Sequence, residues 1–299
     1  MSKTSFQSYQ IVLLKIIFFL RFLADCLFAG FTALYLNSLG LGEDLIGTVN
    51  SLQSIVILII NPVWALIAKD SRVRRILLIV LSAINGILCI IYGNLSTYEA
   101  ILVITAFIAI ATAPYIQLLD SYSITACSAY GYEYSKIRIM GSIAALIGFL
   151  IGGFLIDKIG YRKTFLIAGT ILIVMSFIVM LTKNVEVECN KANEKGNIRV
   201  LFKNIPFISY TIASLICFVP SSVANSFFPI YLQNVHGFTA SEYSYISIAT
   251  VLIEIIVVAI APYVLKGAKP RALLVTVFII DFIKALAIGI PNKEQDYDY

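Results

Sequence analysis

Nine long apolar runs dominate this chain of 299 residues. A helix that crosses a bilayer needs roughly 20 mostly apolar residues, and in lipid every backbone polar group must find its partner within the protein. The runs are too long and too uniformly apolar for the strands of a membrane barrel, so we expect helices. The predicted spans cover approximately residues 11–36, 45–67, 75–95, 99–127, 137–156, 164–182, 206–232, 243–265 and 272–290.

The composition agrees with an all-α membrane protein in contact with a lipid bilayer. Hydrophobic residues make up 60% of the chain, charged residues only 13%, and the mean hydropathy is +0.91. These values lie outside the range of soluble globular domains. The formal net charge of +5 does not indicate a nucleic-acid partner, because the positive residues are distributed among the loops between spans.

Most Lys and Arg residues fall in alternate loops, which sets the expected orientation. The positive-inside rule places the N-terminus in the cytoplasm, and we expect a multi-pass protein of the plasma membrane. One basic cluster would lie outside, against this rule: Lys158, Arg162 and Lys163. Because the other external segments carry only one positive residue between them, we still predict nine spans. The cytoplasmic basic residues predicted after spans two and eight are Lys69, Arg72, Arg74, Arg75, Lys266, Lys269 and Arg271.

Cysteine and histidine usage gives no sign of a metal centre or a cofactor. The chain has five Cys residues without a C-x-x-C pair and a single His, His236. These spacings predict neither a metal site nor a disulfide framework. No combination of nucleophile, base and orienting group emerges either, so we expect that the protein is not an enzyme and needs no cofactor.

A long-range repeat relates the beginning of the chain to its last third. The stretch Phe31–Leu36 precedes Gly40-Leu41, and Phe227–Leu232 precedes Gly237-Phe238. After each copy follow an apolar run, a Pro and a short basic turn. Many transporters are built from two such membrane halves in parallel. The repeat therefore predicts a transporter whose first three spans correspond to its last three.

The repeat also suggests how the chain is divided into domains. We predict a six-helix half over residues 1–182, a cytoplasmic linker over 183–204, three helices of a second half over 205–290, and a polar tail over 291–299. Spans four to six have no counterpart in the second half. We therefore expect that the chain is truncated after its ninth span, that three further spans over roughly 100 residues are encoded downstream, and that this chain inserts without transporting.

Two motifs carry a family resemblance. Tyr134-Ser135-Lys136-Ile137-Arg138-Ile139-Met140-Gly141-Ser142 is similar to a Tyr-Gly-Arg-x-Arg-x-x-Gly-Ser pattern, and Gly153-x-x-x-Asp157-Lys158-x-Gly160-x-Arg162-Lys163 is similar to a loop pattern that begins Gly-x-x-x-Asp. Both patterns belong to the major facilitator superfamily, and the sequence resembles in particular its lactose-permease-like and phenylpropionate-permease-like proton symporters. The resemblance implies the major facilitator fold, here with a complete N-terminal six-helix half and about three helices of the C-terminal half.

Asp120 and Arg138 are the first candidates for substrate contact. An ionisable side chain at the centre of a span costs about 2.5–3.5 kcal/mol on insertion scales, so such residues usually have a function. In the family that the chain resembles, an acid in helix 4 and an Arg in helix 5 hold the substrate together. The alternative is a structural ion pair between these two helices.

Other polar residues in the spans are candidates for binding substrate or protons. Arg21 and Asp25 are one helical turn apart and can neutralise each other, although Asp25 could instead exchange a proton. Glu254 has no local partner, and Lys284 either pairs locally with Asp281 or acts in transport as the resemblance implies. Two amides are candidates for the cavity lining, with helix–helix hydrogen bonding as the alternative: Gln117 and Asn225.

The expected function is secondary active transport, with protons and a small-molecule solute as partners. The resemblance implies proton-coupled symport of a small polar solute, a sugar, nucleoside or aromatic acid, by alternating access. Lactose-type carriers have a Trp where Ala145 stands here, which argues against a galactoside. An efflux antiporter of the same fold and a non-transporting membrane fragment are the alternatives. We expect a monomer.

Overall fold

The computed structural model describes residues 3–68, 70–183 and 203–264, and every regular element in these ranges is helical. A 3₁₀ turn, Ala29–Phe31, separates the first two α-helices. The α-helices of these described ranges are α1 (Lys3–Phe28), α2 (Thr32–Ser38), α3 (Glu43–Ile67), α4 (Ser71–Tyr92), α5 (Tyr98–Thr112), α6 (Tyr115–Tyr130), α7 (Ser135–Leu181), α8 (Ile205–His236) and α9 (Ala240–Val264). The prediction of an all-α protein is confirmed, while the ninth predicted span lies outside the described residues.

Within the described residues, four helical segments are long and apolar enough to cross a membrane. They are Glu43–Ile67, Ser71–Tyr92, Tyr98–Tyr130 and Ser135–Leu181. The third comprises α5 and α6 together, and the fourth contains two of the predicted spans. The protein is therefore a multi-pass membrane protein, as its apolar runs predict.

A backbone break at Gly160 divides α7 into two antiparallel parts. Gly160 has φ 81° and ψ 166°, outside the helical region and in a range that glycine adopts without a steric penalty. The first part, residues 135–159, packs along α1, and the second part, residues 161–181, packs along α4. The break lies within the basic cluster that departs from the positive-inside rule, and it confirms that two helical stretches flank this cluster.

Small residues on the first part of α7 let it approach α1 closely. A Cβ atom on Gly148 would lie 2.7 Å from Cys26 Cβ, and one on Gly152 would lie 2.5 Å from Phe31 Cε2. Side-chain atoms at these two positions would push the helices apart, since protein interiors are close-packed. These small residues of α7 therefore form a close helix–helix contact with α1.

A second break occurs inside the fourth predicted span, between α5 and α6. Pro114 has no N–H group, so the Ile110 carbonyl loses its usual partner four residues later. The indole Nε1–H of Trp64 donates to this carbonyl at 3.0 Å. The side chain of α3 thus replaces a backbone hydrogen bond of the neighbouring helix, which keeps the break compatible with an apolar environment.

The helices run between two ends of the bundle. We call the end that contains Lys183, where the predicted linker begins, the linker end, and the opposite end the far end. At the linker end, Lys183 N–H donates to Gln10 Oε1 at 2.8 Å, Tyr122 Oη donates to the Lys183 carbonyl at 2.8 Å, and Arg75 Nη2 donates to the Met180 carbonyl at 2.7 Å. These contacts bring the start of α1, the start of α4 and the end of α7 to one end, together with the basic residues in the first turns of α4, Arg72, Arg74 and Arg75.

At the far end, both copies of the repeat end a helix at a glycine. Gly40 and Gly237 have φ values of 75° and 67°, the left-handed conformation that commonly ends a helix at glycine. Leu41 N–H donates to the Leu36 carbonyl at 3.4 Å, and Phe238 N–H donates to the carbonyl of its repeat equivalent, Leu232, at 3.2 Å. The copies therefore share the left-handed glycine, while the second has one more residue between its Leu and this glycine.

The described parts of the chain divide into two compact units. One lies within Met1–Glu188 and Leu232–Ile255, and the other lies within Cys189–Tyr231 and Ile256–Tyr299. In the first unit the aromatic rings of Phe28, Tyr35, Tyr92 and Phe165 pack with centroids 4.8–6.3 Å apart and form part of the core at the far end. The candidate site described next belongs to this unit.

Candidate functional site

Asp120 and Arg138 are linked through a third residue, Tyr134. Tyr134 Oη donates a hydrogen bond of 2.7 Å to Asp120 Oδ1. Arg138 follows Tyr134 by one helical turn, and its N–H donates to the Tyr134 carbonyl at 3.0 Å. Within the described part of the chain, Asp120 and Arg138 form no direct ion pair. The two predicted candidates thus lie near one tyrosine but do not neutralise each other.

The Tyr134 hydroxyl is a firm hydrogen-bond donor. Burial, and then the hydrogen bond to the Asp120 carboxylate, raise the pKa of the Tyr134 phenol well above its usual value. The ring packs edge-on against the fully buried Phe18, with centroids 6.1 Å apart. Because the phenol stays protonated, Tyr134 holds the Asp120 carboxylate in place and leaves part of its acceptor capacity open.

Arg138 lies flat over an aromatic ring of α1. Its guanidinium carbon is 4.6 Å from the centroid of Phe22, within the range of a cation–π interaction. Gly141 makes room for this arrangement, since a Cβ there would lie 2.8 Å from Arg138 Nη1 and 2.9 Å from Phe22 Cδ2. The Arg-x-x-Gly spacing places the two residues on one helix face. The guanidinium is held over the ring but exposed.

The second charged pair, Arg21 and Asp25, is present as the sequence predicts. Arg21 Nη1 is 2.5 Å from Asp25 Oδ1, one helical turn apart on α1. The Arg21 side chain is 4% exposed and lies over the Tyr115 ring, with Cζ 4.7 Å from its centroid, while Asp25 is 29% exposed. Asp25 is therefore the accessible member of a pair whose cation is anchored in the core.

Gln117 lines a cavity of about 440 Å³ between α3 and the break that precedes α6. Asn61, Pro62, Trp64 and Pro114 contribute to the same wall. Gln117 is exposed and lies one turn before Asp120 on α6. Amide side chains at membrane depth face protein or water rather than lipid. Gln117 and Asn61 thus place two amides in this cavity, whose wall does not include Asp120.

The remaining predicted residues are less fully described. Asn225 is exposed on α8, in the other unit, and Arg72, Arg74 and Arg75 lie in the first turns of α4. Glu254 lies on α9, but its side chain is outside the described part of the structure, as are Lys69, Lys266, Lys269, Arg271 and Lys284. In the described ranges no cluster of side chains could hold a metal ion.

Sequence reasoning overlooked Tyr134 and Phe22 as members of the site. Tyr134 stands in the motif at the start of α7, but it lies in the short connection between α6 and α7, whose side-chain directions do not follow from helical periodicity. Phe22 is one of several aromatic residues in an apolar helix. Their positions beside Asp120 and Arg138 follow only from the packing of α1, α6 and α7.

Comparisons with known proteins point to one family. A family model described as Major Facilitator Superfamily matches residues 14–291. The "Uncharacterized transporter YwbF" of Bacillus subtilis (strain 168) is 23% identical over 188 residues, and the maltose permease of Geobacillus stearothermophilus is 23% identical over 192 residues. The matches cover 63% and 64% of this chain, which spans about half of these curated relatives: 47% and 49% of their lengths.

Solved structures show the same fold. The nucleoside transporter NupG matches with a TM-score of 0.71 and 16% identity, over 86% of this chain and 68% of NupG. A bacterial homolog to the human lysosomal transporter Spinster, in an inward-facing and unoccupied conformation, matches with a TM-score of 0.68 and 18% identity, over 91% and 64% of the two chains. All four relatives are named as transporters, in agreement with the expectation of a non-enzyme.

Proposed function

The chain belongs to the Major Facilitator Superfamily, and we propose that it carries out proton-coupled symport of a small polar solute by alternating access. We place it in the plasma membrane with its N-terminus in the cytoplasm, because its positive residues concentrate in the loops on that side. Within the superfamily, the motif around Arg138 favours the lactose-permease-like and phenylpropionate-permease-like branch.

The observation that carries the proposal is the group formed by Asp120, Tyr134 and Arg138. It combines a carboxylate with a free acceptor position, a phenol that fixes this carboxylate, and an exposed guanidinium. Charged groups within a membrane bundle are costly unless they face water, each other or a solute. An acceptor and a multiple donor at one place suit a solute with several hydroxyl groups.

The aromatic surface beside Arg138 supports a nucleoside or a sugar as the solute. Phe22 lies under the guanidinium, while Ala145, which stands where the lactose-type carriers have a Trp, argues against a galactoside. One structural neighbour is a nucleoside transporter and one relative is a maltose permease. We propose a hydroxylated solute, with a nucleoside, maltose and an aromatic acid as the compounds to compare first.

For the proton we propose Asp25 as a carrier within the first unit. It is the less buried member of the Arg21–Asp25 pair, so protonation would release Arg21 without removing the more deeply buried side chain from the core. Glu254 and Lys284 are the corresponding candidates for proton binding in the second half. Proton binding there would be coupled to the movement of the two halves during alternating access. Gln117 and Asn225 would contribute neutral contacts to the solute.

Equilibrium binding tests the proposal. Uridine, maltose and 3-phenylpropionate, each radiolabelled, are added to the chain in lipid nanodiscs, and Asp120→Asn and Arg138→Gln are compared with the wild type. We expect each substitution to weaken binding of the preferred compound at least about tenfold, because a charge-assisted hydrogen bond is lost. The matched controls are Glu133→Gln and Lys136→Gln, which remove an exposed ion pair of the same segment and should bind normally.

Unchanged affinity in both site variants would contradict the proposed clamp. Uptake into proteoliposomes under an inward proton gradient then distinguishes the remaining functions. Symport requires uptake that follows the gradient, an antiporter gives uptake with the opposite gradient, and a membrane fragment that does not transport gives binding without uptake under either gradient.

A further inference from the structure

We propose that Asp157 is the central residue of a latch that closes the far end of the transporter. The latch consists of Asp157 at the end of the first part of α7, the first turn of α9, and a contact of Asn37 with Gln233 and Asn234. The inference rests on the proposed alternating access, but it concerns the conformational equilibrium rather than the solute or the proton.

The Asp157 carboxylate caps a helix other than its own. Asp157 Oδ1 accepts a hydrogen bond from Ala240 N–H at 3.2 Å, and Oδ2 accepts one from Ser241 N–H at 3.0 Å. The first N–H groups of a helix have no intrahelical partner and carry a partial positive charge. Asp157 therefore supplies both hydrogen bonds and a complementary charge to the start of α9.

The local sequence of α9 leaves these two N–H groups for Asp157. Thr239 and Glu242 form a capping box, in which Thr239 N–H donates to Glu242 Oε2 at 2.8 Å and Glu242 N–H donates to Thr239 Oγ1 at 3.3 Å. The box satisfies the N–H groups before and after Ala240 and Ser241 but not their own. The four N–H groups at the start of α9 therefore all have partners within the protein only when Asp157 is in contact.

Gly153 allows the two helices to come close enough for this cap. It lies one turn before Asp157 on the same face of α7. A Cβ on Gly153 would lie 2.6 Å from the Ala240 carbonyl oxygen and would overlap Ser244 Oγ, which is buried. The ring of Tyr243 fills the space beside this contact, with its centroid 5.8 Å from that of Phe31 and 6.4 Å from that of Phe149.

A second contact joins equivalent positions of the repeat. Asn37 follows Tyr35-Leu36, and Gln233 follows Tyr231-Leu232, the same place in the second copy. Asn37 Nδ2 donates to Gln233 Oε1 and to Asn234 Oδ1, both at 2.9 Å. Two parallel repeats are related by an axis along the membrane normal. Equivalent residues can meet only near this axis, so the latch bridges the repeats at the centre of the far end.

Alternating access requires these contacts to break and re-form. The far end opens when the repeats separate, and Ala240, Ser241 and the Asp157 carboxylate are then hydrated. The latch stabilises the state that is closed at the far end, and weakening it shifts the population toward the open state.

Pulsed electron paramagnetic resonance distance measurements test the latch without any solute. Spin labels are attached to cysteines at Glu43 and Val235, two exposed positions at the far end, in the full chain in nanodiscs. Cys189 and Cys217 are replaced by Ser, while Cys26, Cys89 and Cys127 are buried. For Asp157→Asn we expect the closed-to-open ratio to fall about fivefold, the size of effect that follows loss of a helix cap.

Three further variants distinguish loss of the latch contacts from nonspecific effects of a substitution on the fold or on the charge of the far end. Gly153→Ala blocks the approach of α9 with Asp157 intact, and Ser241→Pro removes one donor at a position where a helix tolerates proline; both should lengthen the measured distance. Asp44→Asn, an exposed acid in the first turn of α3, removes a charge from the same end and should leave it unchanged. Wild-type distances in Asp157→Asn and Ser241→Pro would overturn the latch, whatever solute the protein binds.

Discussion

Tyr134 donates a 2.7 Å hydrogen bond to Asp120, and one turn later on the same chain Arg138 lies over Phe22. Two residues predicted to act together are thus joined by a neutral donor instead of by direct ion pairing. The carboxylate and the guanidinium keep hydrogen-bonding capacity that a closed ion pair would use up. This relationship makes the group a better candidate for solute binding than for structural support.

Replacing Tyr134 by Phe tests whether the phenol positions Asp120. The substitution keeps the ring that packs on Phe18 and removes only the hydroxyl. We expect the affinity for the preferred solute to fall about five- to tenfold, since a hydrogen bond to a charged group is lost, with little change in thermal stability. Tyr132→Phe is the matched control, and equal losses in both variants would contradict the positioning role. The measurement is the equilibrium dissociation constant.

Gly141→Ala should displace Arg138 from Phe22. The new methyl group would lie 2.8 Å from Arg138 Nη1, so the guanidinium must move although its charge is retained. We expect weaker solute binding with a normal elution profile in size-exclusion chromatography. Ser142→Ala, at the next position, should bind as the wild type does. Full affinity in Gly141→Ala would show that the position of Arg138 over the ring is not needed.

Trp64 should contribute to stability through the carbonyl that Pro114 leaves unpaired. Trp64→Phe removes the donor to the Ile110 carbonyl and should destabilise the protein by about 1–2 kcal/mol, the usual cost of a buried unsatisfied acceptor. Pro114→Ala restores a backbone N–H at the break. We therefore expect the Trp64 substitution to cost less in the Pro114→Ala background. Thermal unfolding followed by circular dichroism measures the cycle, and strictly additive effects would contradict this coupling.

Arg75 should stabilise the linker end by capping α7. Its Nη2 donates to the Met180 carbonyl, close to the end of the helix, where a cation also complements the helix dipole. Arg75→Met should lower the free energy of unfolding by about 0.5–1 kcal/mol. Arg72→Met removes an exposed charge from the same turn and should have a smaller effect. Equal melting temperatures for the two variants would count against the cap.

Much of the fold follows from the sequence because helices in a membrane need long apolar segments. The first eight predicted spans overlap the helices of the described residues, and the i, i+4 spacing of Arg21 and Asp25 predicts their ion pair correctly. The break before Pro114 was not predicted, since one proline does not interrupt an apolar run in hydropathy. Its position depends on the Trp64 side chain of another helix.

The candidate site was predictable only in part. Charged residues in apolar spans drew attention to Asp120 and Arg138, because such residues are costly in lipid. Hydropathy contains no information on which helix faces meet, so Tyr134 and Phe22 could not be assigned. For the same reason Asp157, although part of a recognised motif, could not be connected with the first turn of α9.

The predicted orientation is tested by labelling in intact cells. A cysteine that replaces His236 should react with a membrane-impermeant maleimide, because the positive-inside rule places the far end outside. A cysteine at Arg72, in the first turn of α4 at the linker end, should react only after the cells are permeabilised. The reverse pattern would show that the chain is inserted with the opposite orientation.

Isothermal titration calorimetry in two buffers of different ionisation enthalpy tests the central claim of proton-coupled solute binding most directly. The preferred compound from the binding comparison is titrated into the chain in nanodiscs, so that affinity and proton exchange are measured together. We expect the wild type to take up protons as solute binds, and Asp120→Asn and Arg138→Gln to bind at least about tenfold more weakly. Solute binding with the same affinity in both variants, and with no proton exchange in the wild type, would contradict the account.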